Sequence, residues 1–156
     1  MTEPLVARTT GAVSSLAACL LAVVLLACSE ASAIDTKPSP AKVEPIPGSD
    51  LSEVTLLESA ARRIALQTAP VRELDVGPRG EPGPVLVVDY SAIIYDLTGT
   101  VWVYTNPEAL TYVRRRVSIA YIEANTVVLV EGPPAGTQVV VAGAAELYGA
   151  ETGVGK

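Results

Sequence analysis

The chain has 156 residues, with 11 Lys and Arg against 17 Asp and Glu, for a formal charge of −6. That length holds at most one domain with appendages, and an acidic chain without a large basic face is not expected to bind nucleic acid. Phe and His are both absent, so the core must be built from Val, Leu, Ile, Ala and Tyr, a palette that suits a small β module better than a helical bundle.

Taken in order, residues 1–27 read as an export signal. Arg8 is the early base, and the apolar run over 16–27 is shorter than the roughly 20 residues of a spanning helix. It ends Leu25-Leu26-Ala27-Cys28, which resembles the bacterial lipobox. The resemblance implies cleavage after Ala27 and a diacylglycerol on the sulfur of Cys28. Leu16-Ala17-Ala18-Cys19 fits the same pattern but would leave the hydrophobic run behind the cut, so Cys28 is the better site. The alternative is a retained, uncleaved anchor, since residues 9–29 carry no charge. Two or three acyl chains on one residue meet the need for more than a single lipid signal. Both cysteines are accounted for in this way, leaving no pair for a disulfide. Residues 28–50 read as a tether. Pro38, Pro40, Pro45 and Pro47 punctuate small and charged residues with little to bury, so an extended, disordered spacer of about 3 Å per residue is expected.

The domain proper is expected over 51–150, with 151–156 as a tail. Residues 53–56 suit a short strand, followed by a helix of two to three turns. Leu57, Ala60, Ala61 and Ile64 form its apolar stripe, and Arg62 and Arg63 face water. Thr55 and Glu58 have capping-box spacing, although the strand reading would move the cap to Leu57. Residues 66–74 suggest another strand, and the Pro/Gly-rich stretch 73–84 a flexible crossover.

Residues 85–148 carry the strongest pattern. Asp96-Leu97-Thr98-Gly99 interrupts a run of β-branched and aromatic residues, which signals a hairpin. Val101, Val103 and Thr105 then alternate with Trp102 and Tyr104, as where one face is buried and the other partly wet. Further strands are expected through Val113, Val117 and Ile119, over 126–130, and over Gln138–Ala142. Glu123-Ala124-Asn125 and Gly132-Pro133-Pro134-Ala135-Gly136 mark the turns between them. The fold class is therefore mainly β, a small β-roll or barrel-like domain with one short helix.

Catalytic chemistry finds little footing. Ser91 has no His with which to build a triad, Asp96 lacks the following Thr or Ser of an aspartic-protease motif, and zinc or copper would lack their usual ligands. The expectation is a non-enzyme with no cofactor and no metal. Arg114-Arg115-Arg116 is the one charge run. Strand geometry puts Arg114 and Arg116 on a face with Tyr112 and Ser118, and Arg115 on the other with Val113, Val117 and Ile119. The run reads either as a solvated edge that discourages strand-to-strand pairing or as a contact with an acidic membrane partner or lipid headgroups.

The order of these pieces resembles the periplasmic adaptors, or membrane fusion proteins, of RND-type tripartite efflux pumps. Ser-Ala-Ile at 91–93, the Asp-x-x-Gly turn and Val-Trp-Val-Tyr at 101–104 come first. Tyr-Val-Arg-Arg from Tyr112 follows, and a Gly-containing turn, a Val-Val strand and Gly-x-x-x-Leu (Gly143 to Leu147) close the sequence. Residues 52–72 resemble the early part of the same family, with a Val-Thr-Leu strand, a short Ala-rich helix and Thr-Ala-Pro-Val. The resemblance implies that the two pieces pack together as the membrane-proximal domain. The family's barrel, lipoyl-like and α-hairpin parts, which would lie between them, have no counterpart in 73–84. It also usually has Pro where Arg116 stands. What this implies is a lipid-anchored accessory that faces the periplasm and docks near an inner-membrane efflux transporter, alone or beside a complete adaptor. The alternative is a free-standing envelope lipoprotein whose β module binds something unrelated. Ser29 after the lipidated Cys would, by the enteric rule, favour the outer membrane over the inner.

Overall fold

The computed structural model describes residues 39–153. The expected signal peptide, the Ala27 cleavage point, the Cys28 lipid site and the first part of the tether lie outside them. What is described is mainly β, with two antiparallel sheets. The larger sheet has seven strands: β1 (Ala41–Pro45), β2 (Ser52–Leu56), β8 (Thr111–Arg116), β7 (Val101–Glu108), β11 (Gln138–Ala142) and β3 (Gln67–Pro70) in spatial order, with β6 (Ile94–Tyr95) also on β7. The smaller sheet has four, in the order β4 (Arg72–Val76), β5 (Pro82–Asp89), β10 (Thr126–Glu131) and β9 (Ser118–Glu123).

The chain passes between sheets at buried valines. Residues 66–74, expected as one strand, divide into β3 and β4 at Val71, and the expected strand through Val113 and Ile119 divides into β8 and β9 at Val117. Val71 and Val117 are buried between the sheets with Val88, Ala92, Val103, Val127, Leu129 and Val139. A strand that changes sheet without a break in its hydrophobic run looks continuous in sequence, because period 2 is blind to which sheet receives the residue.

A second cluster covers the other face of the larger sheet. Val54, Leu56, Tyr104, Tyr112 and Val140 meet Ala61, Ala144 and Leu147 from two helices, α1 (Glu58–Arg63) and α2 (Ala144–Thr152). The middle of β7 is therefore buried on both faces: Val103 and Tyr104 are both fully buried, one in each cluster. This corrects the half-wet reading of the alternation at 101–105.

Other expectations also change. Ala41–Pro45, placed in the tether, is strand β1 and pairs with β2 in register Val43 to Val54. Helix α1 has six residues rather than two to three turns. Leu57 is its N-cap, 42% exposed and outside the apolar stripe, and no side chain caps the helix, so Thr55 and Glu58 form no capping box. Ala60 and Ala61 are buried, Ile64 packs on the helix-side cluster, and Arg62 and Arg63 are exposed as expected. The 73–84 stretch is not a crossover but the tip of a β4–β5 hairpin. There Arg79 lies 4.0 Å from the Tyr121 ring centroid and 2.8 Å from Glu123.

The second helix was not expected, and it absorbs the start of the supposed tail, since Glu151 and Thr152 belong to it. Gly143 explains the Gly-x-x-x-Leu spacing. It caps α2 at φ 85°, where a Cβ would stand 3.2 Å from Ile64 Cδ1, and Leu147 N donates to its carbonyl at 3.1 Å. A glycine there meets both the positive φ and the close approach.

Candidate functional site: the arginine run and its groove

The three arginines at the end of β8 have two different fates. Their strand is not an edge, since β8 runs between β2 and β7, although β2 reaches only as far as Val113. Arg114 stands opposite Tyr104, Arg115 opposite Val103 and Arg116 opposite Trp102. Register puts Arg114 and Arg115 on opposite faces, while Arg116, the last residue of β8 before the chain changes sheet at Val117, lines the same concave surface as Arg115.

Arg114 is not a surface residue. Its side chain is 12% exposed and faces Glu151 of α2, which is 4% exposed, with Nε 2.8 Å from Oε2. The approach is close but misses hydrogen-bond alignment, so the contact is an ion pair rather than a linear hydrogen bond. The guanidinium also lies 4.8 Å from the Trp102 ring centroid and 5.5 Å from that of Tyr148, inside the range of a cation–π contact. Glu151 Oε2 accepts a short 2.5 Å hydrogen bond from the Tyr104 hydroxyl. Burial, and then that bond, push the Tyr104 phenol far above its ordinary range, so it stays a neutral donor. The group is a buried fastening between β7, β8 and α2. Arg114 therefore leaves the set of surface contact candidates.

The fastening continues toward the hairpin tip. Trp102 Nε1 donates to Asp96 Oδ2 at 3.0 Å. The other carboxylate oxygen accepts from Thr98 N at 2.8 Å, Thr98 Oγ1 at 2.7 Å and Thr100 N at 2.9 Å. The Thr98 hydroxyl, followed by Trp102, holds the Asp96 carboxyl well below the usual carboxylate range. Asp96 is thus the structural centre of its turn, as its Asp-x-x-Gly spacing predicts.

Arg115 and Arg116 are exposed and line a groove of about 590 Å³ beside the Gly132-Pro133-Pro134 loop. Its other walls include Asn106, Pro107, Glu131 and Thr137. The loop is positioned by a reciprocal pair of 2.8 Å backbone bonds, Val71 N to Thr137 O and Gly136 N to Val71 O. The Asn106 amide nitrogen is already committed to the Glu108 and Thr111 carbonyls, which leaves its oxygen as an acceptor. Lys42, Arg62, Arg72, Arg79 and Arg114 each have a carboxylate within 4.0 Å. Among the described residues Arg115 and Arg116 have none, and neither does Arg63. The groove is the place where unneutralised cations meet a concave surface.

The loop and its arginines were legible as separate signals, but their meeting was not. Glu151 was missed altogether, because nothing in the sequence ties a carboxylate near the end of the chain to Arg114. Among the described residues no three His, Cys, Asp or Glu side chains gather into a metal-binding group. No protein-family model matches the chain, and no curated protein sequence matches it.

Proposed function

We propose that this chain is a lipid-anchored, non-catalytic accessory of an RND-type efflux system, docking by its β domain on the inner-membrane transporter close to the bilayer. What supports this reading is how the two adaptor-like segments combine. The early one supplies β2 and β3, and each pairs with a strand of the late one: β2 with β8 and β3 with β11. Two segments that resemble the early and late parts of an adaptor thus complete the same sheet. Between the two segments stand only residues 73–84, which form the end of the β4–β5 hairpin, where an adaptor would insert the parts that reach an outer-membrane channel. On this reading the chain contacts a transporter, and among the described residues there is no α-hairpin with which to engage a channel, so it works as an accessory or beside a complete adaptor. Arg115 and Arg116 are the contact residues retained from the arginine run. Cys28 carries the acyl chains that hold the domain to the membrane, facing the periplasm.

The test is co-purification. A tagged chain extracted from envelopes in mild detergent should bring an inner-membrane transporter with it, and mass spectrometry of the mature protein should show an acylated Cys28 as its first residue. Recovery of outer-membrane or secreted partners alone would overturn the docking reading in favour of a free-standing lipoprotein. An intact Met1 with an unmodified Cys28 would overturn the anchor.

A further inference from the structure

We infer that the groove beside Pro133 and Pro134 is a binding site for an extended acidic peptide segment of the partner protein, held through its carboxylates by Arg115 and Arg116. The inference rests on the docking reading for the identity of the partner, but its chemistry stands on the groove alone.

The charge pattern comes first. The described part of the chain carries more acidic than basic residues, and most of its cations are neutralised internally. Two adjacent arginines with no carboxylate within 4.0 Å among the described residues, and only Glu131 sharing their groove, therefore make a local positive site on an acidic molecule. A polyanionic surface such as nucleic acid or an anionic bilayer would meet the repulsion of the whole protein, whereas a short acidic segment meets only the groove. Guanidinium groups favour carboxylates because their planar fork can donate two parallel hydrogen bonds.

Groove chemistry then points to a peptide rather than a bare anion. Beside the arginine donors and the Thr137 hydroxyl it offers acceptors, the free oxygen of Asn106 and the carboxylate of Glu131. Main-chain N–H groups use acceptors of that kind, and an inorganic anion has no use for them. Pro107, Pro133 and Pro134 supply flat apolar walls with no N–H of their own to satisfy. A volume of about 590 Å³ accepts a few extended residues. Glu131 opposes an anion at its own end of the groove, so it sets where along the groove a carboxylate can sit.

The experiment places a photo-crosslinking amino acid at Pro134 in the full chain, in cells, with Leu97 at the far hairpin tip as the control position. Captured peptides are then sequenced by mass spectrometry. The expected result is a segment with at least two Asp or Glu within a few residues. Arg115→Glu with Arg116→Glu should lower its capture at least tenfold. Arg115→Lys with Arg116→Lys should fall in between, and Glu131→Gln should raise capture. Both arginines are exposed, so an unchanged thermal transition confirms that the variants fold. Capture of a neutral or basic segment, capture indifferent to charge reversal, or no capture from Pro134 would overturn the inference. So would arginine-dependent sedimentation of the purified protein with phosphatidylglycerol vesicles, which would make the groove a lipid site. An acidic segment from a protein other than a transporter would sustain the groove while ending the docking reading. A transporter captured through a non-acidic segment would do the reverse.

Discussion

Both faces of the larger sheet are buried, but they are filled in different ways. Between the sheets the filling is mostly valine, from Val71, Val88, Val103, Val117, Val127 and Val139, with Ala92 and Leu129. Under the helices it is larger and partly polar, with Tyr104, Tyr112 and Leu147 packed around the Arg114 and Glu151 pair. Valine is stiff, β-branched and without polar atoms, so the first core works through shape and alternation alone. The second holds a charge pair taken largely out of water. It therefore depends on each partner keeping the other, and replacing a pair of this kind by apolar groups can cost little. One face loses stability in step with the volume removed, and the other is sensitive to the loss of a single charge.

The largest expected break follows from that asymmetry. Glu151→Ala leaves Arg114 without its counter-charge and the Tyr104 hydroxyl without an acceptor. It should cost about 3–5 kcal/mol in a denaturant titration. Arg114→Met combined with Glu151→Leu should lose less than Glu151→Ala, because no stranded charge remains and only the Tyr104 hydroxyl goes unpaired. If the double variant is as unstable as Glu151→Ala, the ion pair is worth more than its replacement, and the comparison fails at its central point.

Next in size come apolar truncations matched across the two faces. Leu147→Ala, on a side chain that is fully buried, should cost about 3 kcal/mol. Val127→Ala, buried to the same degree between the sheets, should cost about 2 kcal/mol. Arg63→Asp, on the exposed side of α1, should change almost nothing. A Val127→Ala loss larger than that of Leu147→Ala would place the stability of the domain mainly between the sheets.

The two faces also differ in how far they could be seen in the sequence. The valine core announces itself, because β5, β7, β10 and β11 are dense in β-branched residues and bounded by Gly, Pro and Asn. What the pattern hides is the sheet each strand joins. Pro70 gives some notice of the crossing at Val71, but nothing marks the one after Arg116. The helix-side core is mostly invisible. Ala-Ala-Glu-Leu-Tyr-Gly-Ala-Glu-Thr has two strongly apolar residues and a central Gly, so its helix exists through packing of Leu147 rather than through propensity. Arg114 looked like its exposed neighbours because local spacing says which face a residue takes, not what covers that face. For the groove, the residue types were visible, but the loop meets β8 through β7, which pairs with β11 on one side and β8 on the other, and those pairings are long-range.

The smallest expected effect tests whether the hairpin tip is joined to the helix-side core. Trp102 is the sole tryptophan of the chain, bonded to Asp96 on one side and stacked with Arg114 on the other, so its emission reports both. The Asp96 carboxyl is held below its ordinary value, first by Thr98 and then by Trp102. A depressed carboxyl contributes stability that is complete above its unfolded pKa, about 3.9, and is lost as pH falls toward the folded value. Asp96→Asn puts an N–H₂ donor where one oxygen accepted, so it should lower the unfolding midpoint slightly at pH 7. That gap should stay constant down to about pH 5 and shrink below about pH 4, where the unfolded wild-type carboxyl takes up a proton. Trp102 emission in the folded state should differ between the two proteins at pH 7. A gap that stays flat to pH 3 would mean that the ionised carboxylate does not hold the turn. Emission unchanged by Asp96→Asn but shifted by Glu151→Ala would mean that Trp102 answers to the core alone, and that the tip is a separate unit.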